Sequence, residues 1–331
     1  MPDPLVVRVL ADYRRQLQDT ESAQFRDMAA RWSAVQDRLT VQIDSLAAEI
    51  DALRQAGETV TRGRLLRMDR YQALLAQVDA ETTRFDRLTT GQIVSAQSDA
   101  IGLGLEAAAA AIDAGYQQAG RVAVDWNRLP RRAVQTMAGL ASDGSPLAAL
   151  IAQSYPLTVQ ALTDTLVQAV GLGWNPKKTA AAMRQAADLP LNRALRIART
   201  EQLRAYREAT REQYAESGVV TAYRRLAAKS LRTCPACLFA DGKIYQLDEP
   251  LDEHVSGRCQ LIPIIDGVSE RRWQTGREWF ATLPAEQQSA MLGPGVYEKW
   301  KRERFDLDRL ITVREDATWG NSLQVTPLSA L

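Results

Sequence analysis

The chain has 331 residues, 46% of them hydrophobic and 24% charged, and a net charge of +1. These are ordinary values for a soluble globular protein, and the length allows about two domains. The balanced charge gives no global argument for nucleic acid or membrane, no apolar run approaches the roughly 20 residues of a transmembrane helix, and the start MPDPLVVRVLADYRRQ lacks the order of a secretory signal.

Residues 5 to about 55 read as one long helix. Phe25, Met28, Trp32, Val35, Leu39, Ile43, Leu46, Ile50 and Leu53 recur at steps of three and four, so they share a stripe. Gly57 breaks the pattern. A second helix is predicted from about Arg64 to Leu88, with Leu65, Met68, Tyr71, Leu75, Val78 and Phe85 on its stripe. The two are expected to pack as an antiparallel hairpin. Residues 92–125 also read as helical, and their run of small side chains (GLGLEAAAAAIDAGYQQAG) predicts close helix packing. Pro130, SDGSP at 142–146 and Tyr155-Pro156 punctuate the next stretch and suggest a domain boundary.

A helix is expected from Leu157 to Val170. Asn175-Pro176 suits a helix start, with Asn as the cap and Pro at the first helical position. That helix is predicted to stop at Pro190, and a longer one to cover about 191–217. Its inner stripe is Leu191, Leu195, Ala198, Gln202, Tyr206, Ala209 and Tyr214; Arg193, Arg196, Arg204, Arg207 and Arg211 lie largely on another. Gly218 is a natural C-terminal cap. Beyond it, VVTAYRRLAA is strand-prone. Asp241-Gly242 between Leu238-Phe239 and Ile244-Tyr245 carries a hairpin signature, and GRCQLIPII reads as another strand. A short helix is expected at about 284–292, with Pro284 in its first turn and Gly293 at its end. The tail has apolar anchors without helical period.

Charge is unevenly spread. Residues 177–232 hold 13 Lys/Arg and 5 Asp/Glu, a surplus of +8; residues 241–253 hold one Lys and five Asp/Glu, or −4. A basic helix of this kind is either a solvated face or a contact for phosphates or an acidic partner surface. Arg204, Arg207 and Arg211 are the candidate contact residues on the second reading.

The three cysteines and the single histidine fall within 26 residues, as Cys234, Cys237, His254 and Cys259, spaced C-x2-C-x16-H-x4-C. One close pair and a second pair across a loop is the spacing of a Cys3His zinc site. A redox CxxC would want a βαβ setting that is missing, and a Cys234–Cys237 disulfide would leave Cys259 over. Four protein ligands imply a closed, structural site rather than a catalytic one with an open position. No second histidine exists to act as a base, and the deaminase order, with H-x-E ahead of P-C-x-x-C, is not met. We therefore expect no enzyme activity, and free thiols committed to metal in a reducing compartment.

These residues also carry a resemblance. IARTEQLRAYREATREQYAESGVV, then TCPACLFADGKIYQLDEP, then HVSGRCQLIPI resembles the phage Mu F-like head morphogenesis family of minor capsid proteins. In that family an Arg-Thr-Glu helix leads to a Gly and a strand, followed by a CPxC-type turn, an LDGK-like hairpin and an H-P-x-C-R-C-x-x-x-P element. The corresponding residues here are Arg199-Thr200-Glu201, Gly218, Cys234 to Cys237, Asp241-Gly242-Lys243, and His254 through Pro263. Two positions depart from the pattern: Gly257 stands where the family has a further Cys, and Val255 where it has Pro.

The resemblance implies a virion component of a tailed phage or prophage, present in several copies, associated with portal or inner capsid proteins and acting in head assembly, with packaged DNA as a further contact. No membrane partner is implied. Arg199 and Glu201 are expected to dock the long helix onto the zinc module. The whole reads as a mainly α chain with a small α+β zinc-stabilised module: a helical region at 1–125, a linker at 126–157, the Mu F-like module at 158–265, and a C-terminal helix with an extended tail at 266–331.

Overall fold

A 51-residue helix, α1 (Leu5–Gln55), begins the fold. The computed structural model describes residues 3–122, 125–130, 150, 153–303, 305–315 and 321–331. Most of the linker read at 126–157, SDGSP included, lies outside the described residues. A short α2 (Arg62–Leu65), capped by Thr61, leads into α3 (Asp69–Gln118). Then follow α4 (Ser154–Gly171), α5 (Pro176–Ala187), α6 (Leu189–Glu216), β1 (Val220–Leu226), α7 (Pro235–Phe239), β2 (Ile244–Gln246) and β3 (Gln260–Ile265). The chain closes with α8 (Gly276–Thr282), α9 (Ala285–Leu292), α10 (Pro294–Glu303), β4 (Ile311–Arg314) and β5 (Ser322–Val325). Two compact units result: Thr20–Ala96 with Ser145–Arg199, and Met1–Asp19 with Gln97–Gly144 and Thr200–Leu331.

The first unit is a helical bundle. Its core is the stripe read from the sequence, Trp32 to Ile50, packed on Leu65, Tyr71, Leu74, Val78 and Phe85 and closed by Leu162, Leu166 and Met183. The helices run antiparallel: Trp32 meets Phe85 edge to face at 4.7 Å, Arg38 pairs with Glu81, and Glu49 pairs with Arg70 at 3.0 Å. Trp32 Nε1 and Gln36 Nε2 both donate to Asp188 Oδ1, at 3.0 and 2.6 Å, which fixes the turn between α5 and α6.

The expected break near residue 90 is absent, because α3 continues through Gly91. A lone helical glycine costs only about 1 kcal/mol. Buried Ile93 and the hydroxyls of Thr89 and Thr90, bonded back to the turn before them, hold the helix together. The helix read up to Pro190 does stop just ahead of it, at Ala187, and Pro190 belongs to the next helix. It sits in the first turn of α6, where no amide is needed. Asn175 caps α5 as read, its side chain accepting from the amide of Lys178 at 2.8 Å.

The second unit builds the site. The small residues of α3 let it approach α6 closely: Thr210 Oγ1 donates to the Gly104 carbonyl at 3.1 Å, and a Cβ on Gly104 would overlap the Tyr206 carbonyl. The segment at 125–130 is tied to α6 by Gln213, which accepts from the Leu129 amide and donates to the Asn127 carbonyl. Beyond Gly218, at φ +71°, β1 is the centre of an antiparallel sheet in the order β2-β1-β3. Tyr223 of β1 stacks on Tyr245 of β2 at 5.3 Å.

The hairpin expected between Leu238-Phe239 and Ile244-Tyr245 does not form. Pro235 starts a helical turn that carries Leu238 and Phe239 inward against Phe280 and Leu292, and β2 pairs with β1 instead. Asp241-Gly242 does turn, with Gly242 at φ +89°. Its aspartate ties down distant chain by accepting from the amides of Ala227 (2.7 Å) and Gly276 (2.9 Å).

Nor is the tail simply extended. Thr275 and Glu278 form a capping box at the start of α8, Pro284 caps α9 rather than entering it, and α10 follows Gly293. β4 and β5 pair in antiparallel register, Ile311 opposite Val325. Leu323 of this pair packs on Ala236 of α7 and on Ala240 at its end, its amide donates to the Asp252 carbonyl at 3.0 Å, and Leu331 is buried with Phe280 and Leu310.

Candidate metal centre

Three short segments bring the predicted ligands together. Cys234 caps α7 and Cys237 lies in it, so one helical turn puts both sulfurs on the same side. His254 and Cys259 bracket a tight loop in which Gly257 donates to the His254 carbonyl at 2.9 Å and Ser256 takes φ +63°. The ligand atoms of Cys234, Cys237 and His254 lie within 4.8 Å of one another, and so do those of Cys237, Glu253 and Cys259. All three cysteines are free thiols, and Cys237 and Cys259 are buried.

The half-buried group Cys234, Cys237 and His254 could hold a metal ion, and Cys259 adjoins it through Cys237 in the second, buried group; sulfur and imidazole are donors that zinc takes. The histidine is presented correctly. Its Nδ1 donates to the Val255 carbonyl at 2.9 Å, which leaves Nε2 as the nitrogen a metal could take once it gives up its proton, and Nε2 lies 3.7 Å from Glu253 Oε1.

Sequence reading missed the charged shell. Glu253 is fully enclosed. Burial alone would raise its pKa, but Arg225, Arg207 and His254 outweigh that and hold it at about 2. Its carboxylate accepts from the amides of His254 (3.1 Å) and Cys259 (3.2 Å) and from the thiol of Cys237 (3.2 Å). Arg225, wholly buried in β1, donates from Nη1 to Glu253 at 3.3 Å and lies 3.6 Å from Cys237 Sγ. From Nη2 it donates to Asp252 Oδ1 at 2.6 Å, and the Tyr245 hydroxyl completes its ring of partners. A signal was present: two adjacent arginines in an otherwise apolar strand, and acid beside the lone histidine.

The thiols differ in proton affinity. A hydrogen bond from Cys237, then the facing His254, outweigh burial and bring Cys234 down to about 4. Bonds to Cys234 and Cys259, with burial, push Cys237 well up. His254 rises to about 9, because the Cys234 bond and the Glu253 charge overcome its burial. The cluster is thus a thiolate–imidazolium pair beside a thiol, and an incoming cation must displace protons from both Cys237 and His254.

The three arginines proposed as contacts are engaged inside the module. Arg207 is buried and donates to the Gly257 carbonyl at 2.8 Å. Arg204 pairs with Glu201 at 3.0 Å. Arg211 pairs with Glu208 at 3.0 Å and donates to the Leu247 carbonyl at 2.6 Å. In the Arg-Thr-Glu element it is the middle residue that reaches the ligand loop: the Ser256 amide donates to Thr200 Oγ1 at 3.2 Å. Arg199 instead pairs with Glu21 of α1, and Glu201 accepts from Gln97 of α3. The docking expected of Arg199 and Glu201 is corrected accordingly: short Thr200 alone sits close enough to the loop backbone.

Residues 160–262 match the family model of the Phage Mu protein F like protein, over the same stretch as the resemblance read from the sequence. No curated protein and no solved structure matches the chain. No helix among the described residues is long and apolar enough to cross a membrane.

Proposed function

We propose that this chain is a structural component of a phage head, acting in head assembly through contacts with portal or capsid proteins, and that a zinc ion closes its Mu F-like module. The observation that carries the reading is that Cys234, Cys237 and His254 form one group and Cys237, Glu253 and Cys259 an adjoining one, both inside the segment that matches the family. Bound there, zinc would tie α7 to the loop ahead of β3 and supply folding energy to a sheet too small to hold alone. A set of four protein donors leaves no open position for substrate or activated water, which supports a structural rather than an enzymatic role.

The chain's own residues prepare the site. Arg225 and Arg207 neutralise Glu253, and Val255 orients the imidazole. Because Arg204, Arg207 and Arg211 serve the module's own framework, we give them a structural role ahead of contact with packaged DNA. The test has two parts. Metal content by mass spectrometry should find one zinc per chain, lost in Cys234→Ser and His254→Ala; a zinc-free protein defeats the metal reading. Co-expression with portal and capsid proteins should yield particles containing the chain; its absence from every particle defeats the assembly reading.

A further inference from the structure

Between the ligands His254 and Cys259 lies Gly257, and its φ is not the reason it is glycine. A Cβ there would overlap the Glu253 side chain, whose Cγ is 2.5 Å away and whose carboxylate is nearer still. The space over Gly257 is filled by a buried carboxylate from the residue that precedes the histidine.

We propose that Glu253 is the positioning residue of the metal centre, and that it works only because residue 257 has no side chain. This inference rests on the zinc reading above. Glu253 Oε1 accepts from the His254 amide, and Oε2 from the Cys259 amide. A single rigid group thereby sets the distance between the two backbone positions that carry the later ligands. Arg225 clamps the carboxylate from the strand side, and Arg207 holds the loop from the other end through the Gly257 carbonyl. The carboxylate is also within reach of Cys237 Sγ at 3.2 Å. Both of its oxygens are taken by backbone amides and a guanidinium, which suits a frame and not a fifth ligand. An outer group of this kind is typically worth about 10- to 100-fold in metal affinity.

A double-mutant cycle in the full chain tests it, with Glu253→Ala, Gly257→Ala and the two combined, plus Glu253→Gln as the conservative variant. Zinc affinity is measured by competition with a chromophoric chelator, and the ligand set by the absorption spectrum of the cobalt(II)-loaded protein. Glu253→Ala and Gly257→Ala should each weaken zinc by about 10- to 100-fold. In the Glu253→Ala background the glycine substitution should cost little, because its clash is gone. The thiolate-to-cobalt charge-transfer band should lose intensity in both single variants as Cys259 leaves its place, and Glu253→Gln, which keeps the volume and one acceptor, should recover most of it.

Two single losses that multiply in the double variant, or a cobalt spectrum unchanged in Glu253→Ala, would overturn the proposal. Should Glu253→Ala not fold, Glu253→Gln measured against the parent decides: zinc affinity weakened by more than about 10-fold together with loss of the cobalt band rejects the positioning role. A wild-type chain that binds no zinc rejects the earlier reading instead, so the two failures are distinguishable.

Discussion

The helical bundle and the Mu F-like module obtain order in opposite ways. The bundle buries large apolar side chains in quantity: Trp32, Leu39, Ile43, Leu46, Tyr71 and Phe85 share one cluster. Its ion pairs, such as Arg38–Glu81, lie at the surface, where they contribute little. The module has a three-stranded sheet with one short edge strand, and at its middle sit a guanidinium, two carboxylates and three thiols. The contrast teaches that the bundle can stand on area removed from water, whereas the module's centre is stable only while each charge has its partner. Take one partner away and a buried ion is left bare.

On the proposed zinc site, metal removal should give the largest effect. Chelation, or Cys237→Ser, should cost the module on the order of 10 kcal/mol of folding free energy, the scale of structural zinc in small domains. Hydrogen exchange would show amides of β1 and β3 losing protection while the far-UV helical signal persists; protected strands in metal-free protein would erase the contrast. Next comes Arg225→Ala, which strands Glu253 and Asp252 and should destabilise the module by about 3–5 kcal/mol in a urea titration. Trp32→Ala should cost the bundle a similar amount, about 3–5 kcal/mol by cavity formation, with zinc stoichiometry unchanged. Its counterpart Glu81→Gln, which removes a surface pair, should stay within about 1 kcal/mol. A larger loss there would mean that charge matters as much in the bundle as in the module.

The bundle was the more legible region for the same physical reason. A stripe such as Trp32, Val35, Leu39 and Ile43 carries its period in the sequence, and burial follows the period. Soft ligands are also legible, because cysteine and histidine are scarce and their spacing is chemical. What stayed hidden depends on tertiary partners. Arg207 reads as one of a row of solvated arginines, yet it turns inward because the Gly257 carbonyl and the Glu253 charge await it. Leu238-Phe239 looks like the arm of a hairpin until Pro235 and the α8 surface select a helical turn. Strands β4 and β5 are four residues each, too short to show alternation before pairing does.

The last effect concerns a charge in the bundle itself. Asp86 of α3 is raised to about 7 by burial, only partly offset by Arg193. An ordinary aspartate titrates near 4, so the folded bundle binds this proton more tightly than the unfolded chain does. Stability from this group is therefore complete below about pH 4 and is lost as pH rises through 7. Asp86→Asn, which cannot ionise, should flatten that slope and leave the variant modestly more stable than the parent at pH 8, read as thermal midpoints across pH 4–8. Parallel curves for parent and variant would mean that Asp86 is solvated in solution, and the bundle's stability would then rest on its apolar stripe alone.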